Sequence, residues 1–120
     1  MDINAKQDLT ESIADLLYPS ESDFPFDLVE SDTPGEGVRE FVERISDPAL
    51  LIEELSPHTF FDPLLESDDD GRFTTLRNTL EGHLSQFRVF RVGQTEIDIY
   101  LLGKTKDGLV GGLHTRSVET

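Results

Sequence analysis

The last third of the chain constrains the fold most, because strand patterns follow one another there with only tight turns between them. Three segments have the β-branched, alternating apolar composition of strands: Val89–Val92, Glu96–Leu102 and Leu109–Val118. The dipeptide Asp107-Gly108 is typical of a two-residue β-hairpin turn. These features predict an antiparallel meander of three strands.

The strand pattern of this meander continues almost to the last residue, Thr120. Chain ends usually fray unless a strand or a helix ties them down. We therefore expect the terminal carboxylate to be held in a defined position. The pair Gly111-Gly112 lies inside the last strand and predicts a bulge or a close backbone contact there.

The first half of the chain begins with an amphipathic helix, predicted near residues 5–17. Its apolar positions, spaced as one helical face, are Leu9, Ile13, Leu16 and Leu17. Asn4 with Gln7 three residues later is a capping-box pattern. Pro19 ends the helix, because the residue before a proline is disfavoured in helical geometry.

Three further helices are predicted from their spacing and their boundary residues. One has its apolar positions at 38, 41, 42 and 45 and ends at Asp47-Pro48. Ser56-Pro57 is a favourable N-cap and first-turn pair that opens a short helix. The clearest helical spacing joins residues 73, 76, 80, 84 and 87, with Asp70 as the expected cap.

Two more strands are predicted between these helices. The segment Phe24–Glu30 is aromatic and β-branched, and Pro25 restricts its pairing to the start of a strand or to a sheet edge. The segment Ala49–Leu55 is ambiguous between a strand and a helical turn, and we favour the strand. Together the elements predict an α+β fold, with helices segregated from a mostly antiparallel sheet, in a single domain of residues 1–120.

The chain is strongly acidic, with 25 acidic and 10 basic residues and a formal net charge of −15. The excess lies in residues 1–60, which contain 15 acids and 3 bases. This balance argues against binding to a nucleic-acid backbone, which requires Lys and Arg. It is compatible with steering onto a basic protein, or with a role in solubility alone, including adaptation to a salty cytoplasm.

The location of the protein is predicted from what its sequence lacks. The chain contains no cysteine, and its first residues have neither the basic flank nor the apolar core of a signal peptide. No run approaches the roughly 18 apolar residues of a membrane span. We expect a cytoplasmic protein that does not bind membranes and is monomeric when free.

No pattern typical of an enzyme emerges from the sequence. Glu66, Asp68 and Asp70 imitate the start of a calcium-binding loop, but the position of its essential twelfth ligand is occupied by Arg77. The three histidines are far apart, and no serine lies in a nucleophile elbow. We therefore predict a protein without catalytic activity and without a cofactor.

Three blocks together resemble the nuclease A inhibitor family. The first is residues 15–27, with an apolar helix end, Ser-Glu-Ser, and an acid-aromatic-Pro-Phe-acid motif. The second is the hairpin of residues 89–105, and the third is residues 113–120, which end in Val-Glu-Thr. Their order, with the third block in register with the chain end, makes the resemblance specific, although residues 31–72 match only loosely.

The resemblance implies an α/β/α sandwich of the PR-1-like kind and a function in inhibiting a nuclease. The partner would be a sugar-nonspecific, Mg²⁺-dependent DNA/RNA endonuclease whose active site the inhibitor plugs. By motif position, Glu21 and Thr120 would reach the catalytic centre, with Thr120 directed towards the Mg²⁺ of the bound nuclease, directly or through water. Glu119, Ser20 and Ser22 complete the expected contact set, and both serines are expected to orient the loop by side chain to backbone hydrogen bonds.

Two other functions remain open on the sequence alone. One is an acidic interaction module that binds a different basic protein. The other is a domain whose charge serves only solvation at high salt, which predicts that folding requires molar salt.

Overall fold

A computed structural model describes residues 1–119 and confirms the α+β fold with a C-terminal strand meander. In chain order the elements are α1 (Ile3–Ile13), β1 (Leu17–Tyr18), β2 (Phe24–Pro25), β3 (Asp27–Glu30), α2 (Val38–Ile45), β4 (Ile52–Leu55), α3 (Pro57–Glu66), α4 (Arg72–His83), β5 (Ser85–Val92), β6 (Glu96–Lys104) and β7 (Val110–Val118).

The main sheet has five strands in the order β3-β7-β6-β5-β4, and every neighbouring pair is antiparallel. Strands β5 to β7 are the predicted meander. The two short strands β1 and β2 pair with each other, with Leu17 opposite Pro25 and Tyr18 opposite Phe24. The last strand β7 therefore lies between β3, from the first half of the chain, and β6.

Helices cover both faces of the sheet, because the strands of the meander are apolar on both sides. Val89 and Leu101 point into one core with helices α1, α3 and α4. Their neighbours Phe90 and Leu102 point into a second core with α2. Each strand thus contributes alternate residues to two cores, as the period of two requires.

Several predicted boundaries are confirmed. Helix α2 ends before Asp47, β4 lies within the predicted segment 49–55, and Ser56 caps α3 by accepting a hydrogen bond from the Thr59 N–H at 3.0 Å. Among residues 1–119, no helix combines the length and apolar character that a membrane crossing demands.

The predicted extent of α1 is wrong at both ends. Its N-cap is Asp2, which accepts a hydrogen bond from the Ala5 N–H at 2.8 Å, so the pair Asn4 and Gln7 does not cap it. The helix ends at Ile13, because Asp15 adopts a left-handed conformation with φ of 60°. The chain then turns into β1, so Leu17 is a strand residue.

Helix α4 also ends earlier than predicted, at His83. Leu84 and Phe87 continue the helical spacing but lie on extended chain that packs against the same core. Its first turn is capped chiefly by Asp68, which accepts hydrogen bonds from the N–H groups of Phe73 and Thr74, whereas Asp70 accepts only from Arg72.

The two glycines of β7 create a close contact rather than a bulge. The pairing of β6 with β7 runs without a shift through Gly111 and Gly112. Gly112 has a φ of +152°, and a Cβ atom there would lie 2.0 Å from the Leu101 carbonyl oxygen. The irregularity of the meander lies instead in β5, between Ser85 and Arg88.

Candidate partner-binding site

The Ser-Glu-Ser loop lies against the end of β7. The Ser20 hydroxyl donates to the Ser22 carbonyl oxygen and accepts from the Val118 N–H at 3.3 Å. The Glu21 N–H donates to the Val118 carbonyl oxygen at 3.4 Å. Two segments that are 98 positions apart in the sequence are therefore joined directly.

The loop is supported on both sides by ordered structure. It connects β1 to β2, and the Tyr18 ring of β1 stacks on Phe60 of α3 with centroids 5.6 Å apart. Just beyond β2, Phe26 is buried, and the Thr115 hydroxyl of β7 donates to the Pro25 carbonyl oxygen at 2.9 Å. The loop is thus fixed to the helical layer and to the last strand.

The hydroxyl of Ser20 orients the loop by side chain to backbone bonds, as predicted. It also accepts from the Ser22 N–H at 3.3 Å, so it bridges the two ends of the Ser-Glu-Ser segment. Ser22 takes part in these bonds through its backbone groups. Glu21 lies at the apex between them, and its residue surface is exposed.

Glu119 is anchored within the molecule. Its N–H donates to the Thr95 carbonyl oxygen at 2.9 Å, in the turn between β5 and β6. Its carboxylate accepts hydrogen bonds from Arg91 Nη2 at 2.6 Å and from the Ser117 hydroxyl at 2.7 Å. The bond from Arg91 lowers the pKa of Glu119 most, partial burial opposes it, and Ser117 adds to the lowering.

The predicted contact residues thus fall into two groups. Ser20, Glu21 and Ser22 meet the end of β7, and Glu119 continues from that end onto the turn between β5 and β6. Thr120, the remaining predicted contact, lies outside the described residues. The three anchors of Glu119 fix the last residue that the structure describes.

The anchor from Arg91 was not predicted from the sequence. Arg91 lies on β5, 28 positions before Glu119 in the sequence. The contact between the two side chains depends on strand register, which no local pattern encodes. The only available signal was its place as a base in a strand two residues before a turn. The sequence does not indicate the role of Thr95 either, because this residue contributes only a backbone carbonyl oxygen.

A metal site would require acidic and histidine side chains grouped closely enough to bind an ion. Within residues 1–119 no group of three or more His, Asp or Glu side chains could hold a metal ion. Asp68, part of the calcium-loop imitation, instead accepts the helix N–H groups described above.

A comparison with protein families matches residues 3–120 to a family described as nuclease A inhibitor-like protein. The match covers nearly the whole chain, including residues 31–72. A comparison with curated proteins found no match.

Proposed function

We propose that this chain, which belongs to the nuclease A inhibitor-like protein family, binds a sugar-nonspecific, Mg²⁺-dependent DNA/RNA endonuclease and blocks its active site. It has no catalytic activity in this function and needs no cofactor of its own. The proposed contact residues are Ser20, Glu21 and Ser22 of the loop between β1 and β2, together with Glu119 and Thr120, which follow β7 in the chain.

The observation that carries the proposal is the direct bonding of the Ser20–Ser22 loop to Val118. It joins the two motifs of the family resemblance that are most distant in sequence. A partner that contacts the end of β7 therefore meets Glu21 as well. Separate surface loops would give no reason for these motifs to act together.

We call the Ser20–Ser22 loop together with Glu119 and Thr120 the tip. The chemistry of the tip suits the active site of a nuclease. That site binds phosphate with basic side chains and a hard cation, which prefers oxygen ligands. The Glu21 carboxylate, and the carboxylate and hydroxyl of Thr120, are oxygen donors that offer no phosphodiester bond for cleavage. In this proposal they occupy phosphate positions, and Thr120 binds the Mg²⁺ of the nuclease, directly or through water.

Glu119 also has a supporting role in this proposal, in addition to its place in the contact surface. Its carboxylate is engaged by Arg91 and Ser117, and its N–H by Thr95. These three bonds restrict the backbone just before Thr120. A restricted tip loses less conformational entropy on binding, which increases affinity.

The test is a titration of endonuclease activity on DNA and on RNA with the purified chain. We expect stoichiometric inhibition by the intact chain. Deletion of Thr120, or a short extension after it, is expected to weaken inhibition at least about tenfold, a loss of about 1.4 kcal/mol. The melting temperature should stay nearly unchanged, because the anchors of Glu119 remain.

Two results would contradict this proposal at different points. Full inhibition by the extended chain excludes Thr120 as the plug, and an unchanged inhibition constant for Glu21→Gln excludes Glu21. A chain that inhibits no such endonuclease but binds another basic protein would be the acidic interaction module instead. Asp69→Asn is the matched control for Glu21→Gln, because it removes one charge from a loop that is not part of the site.

A further inference from the structure

Two adjacent leucines are exposed in the connection between α2 and β4. Leu50 has 42% of its surface exposed and Leu51 has 63%. Single exposed apolar side chains are common on protein surfaces and need no explanation. Two adjacent exposed leucines form one larger apolar patch in contact with water, which is unusual on a protein of net charge −15.

The connection that carries the leucines has a defined conformation. Asp47 accepts two hydrogen bonds, from the Ala49 N–H to its carboxylate at 2.9 Å and from the Leu50 N–H to its carbonyl oxygen at 3.0 Å. The Leu51 carbonyl oxygen accepts from the Gly93 N–H at 3.1 Å. The pair is therefore fixed to the turn between β5 and β6.

The same turn anchors Glu119 through Thr95, so the leucines lie beside the candidate tip. An open cavity of about 580 Å³ is lined by both leucines and by Gln94 and Thr95 of the turn. A second cavity of about 320 Å³ is lined by Leu51 and Glu119, among others. The concave surface of the leucines is thus continuous with the last described residue of the tip.

We infer that Leu50 and Leu51 form an apolar contact surface for the same nuclease, beside the phosphate-binding cleft that the tip enters. This inference rests on the proposed function. A stable protein–protein interface buries about 800 Å² on each partner, from roughly 20 to 30 residues. The tip is much smaller, so the interface extends over neighbouring surface, and the leucines supply its apolar part.

The charges around the leucines favour a basic protein over a second copy of this chain. Asp47, Glu53 and Glu96 are exposed beside the pair. Arg91, which also lines the second cavity, is paired with Glu119. Two copies meeting here would bring these acidic rims together, and like charges facing each other oppose association. A nuclease surface with an apolar patch bordered by Lys and Arg complements both the leucines and the rim.

The test compares the double variant Leu50→Asn/Leu51→Asn with the intact chain, by surface plasmon resonance on an endonuclease that the intact chain inhibits. We expect Kd to rise at least about tenfold, with the change in koff rather than in kon. The control is Ile3→Asn, which changes the most exposed large apolar residue, at the start of α1, and should leave Kd unchanged. Leu51→Asn alone should give a smaller loss and serves if the double variant does not fold.

The outcomes separate this inference from the proposed function. Inhibition by the intact chain together with an unchanged Kd for both leucine variants overturns the inference alone. Failure of the intact chain to inhibit any sugar-nonspecific endonuclease overturns both. Concentration-dependent dimerisation of the intact chain in sedimentation, lost in the double variant, would assign the leucines to a second copy and also overturn the inference.

Discussion

At the scale of single residues, Arg91 links Glu119, which follows β7, to strand β5. The Arg91 side chain is 26% exposed, and its guanidinium contacts the carboxylate of Glu119, whose side chain is 46% exposed. An ion pair this accessible adds less than about 1 kcal/mol to stability. Its consequence is therefore expected in the position of the tip rather than in the free energy of unfolding.

We predict that Arg91→Met weakens inhibition about tenfold while the melting temperature changes by only a few degrees. The substitution keeps most of the apolar stem but removes the hydrogen bond to Glu119, so the residue after Glu119 is less restricted. The inhibition constant and the thermal unfolding curve measure the two effects separately.

The matched control is Arg88→Met, three residues earlier on the same strand. Arg88 pairs with Glu54 of β4 at 2.8 Å, so this variant removes the same charge and a similar ion pair away from the tip. Equal losses of inhibition in the two variants would indicate a general charge effect. They would contradict the positioning role of Arg91.

The pH dependence of this anchor follows from the pKa of Glu119, which Arg91 holds below its ordinary value. A lowered pKa means that the anchor is fully present above the ordinary value, near 4.5, and is lost as pH falls through the folded-state value. The ratio of the inhibition constants of Arg91→Met and of the intact chain should therefore be constant from pH 6 to pH 8.

At the scale of elements, the packing of β6 against β7 depends on Gly112. A Cβ atom at this position would lie 2.0 Å from the Leu101 carbonyl oxygen and 3.0 Å from the Leu101 carbonyl carbon, both backbone atoms of the adjacent strand. Gly112 also pairs with Val29 of β3 on its other side. A shift of one strand would therefore disturb both pairings of β7.

We predict that Gly112→Ala lowers the free energy of unfolding by about 2–4 kcal/mol, because the backbone must move and the φ of +152° is unfavourable for alanine. Urea or thermal unfolding measures the change. The control is Gly82→Ala, where an added Cβ meets no atom within 4 Å and helix propensity predicts a gain of up to about 1 kcal/mol. A neutral Gly112→Ala would show that the strands can separate at no cost.

The sequence predicted elements well where periodicity and boundary residues agreed, as in α2, α3 and the meander. It failed where apolar spacing continued past the end of a helix. Leu84 follows Leu80 by four residues and is buried in the same core, yet it lies on extended chain. Apolar spacing therefore reports which residues are buried, and not where a helix ends. The end of α1 was missed for another reason, because the left-handed conformation of Asp15 just beyond it leaves no trace in the apolar pattern.

The candidate site was predictable to a different degree. The Ser20–Ser22 loop and the chain end were nominated through the family resemblance, and the hydrogen bonds of Ser20 join them in the structure. The anchors Arg91 and Thr95 depend on which strands are neighbours and in which register. That information is non-local, so a single sequence does not contain it in readable form.

At the scale of the whole molecule, the net charge of −15 acts on folding and on association in opposite directions as salt rises. Like charges repel one another in the folded protein, so added salt should stabilise it. Attraction to a basic nuclease has the opposite sign and should weaken. A domain whose acidity serves only solvation at high salt would instead be unfolded in dilute buffer.

We predict that raising NaCl from 50 to 500 mM lowers kon for the nuclease at least about tenfold and changes koff less than about threefold. The Debye length falls from about 14 Å to about 4 Å over this range, so long-range attraction is screened while contacts within the interface are not. Stopped-flow association and dissociation measure the two rates, and circular dichroism over the same range should show a folded chain at 50 mM whose melting temperature rises with salt. A kon that is independent of salt would mean that the acidic surface does not steer the encounter, and a chain unfolded at 50 mM would assign the charge to solvation.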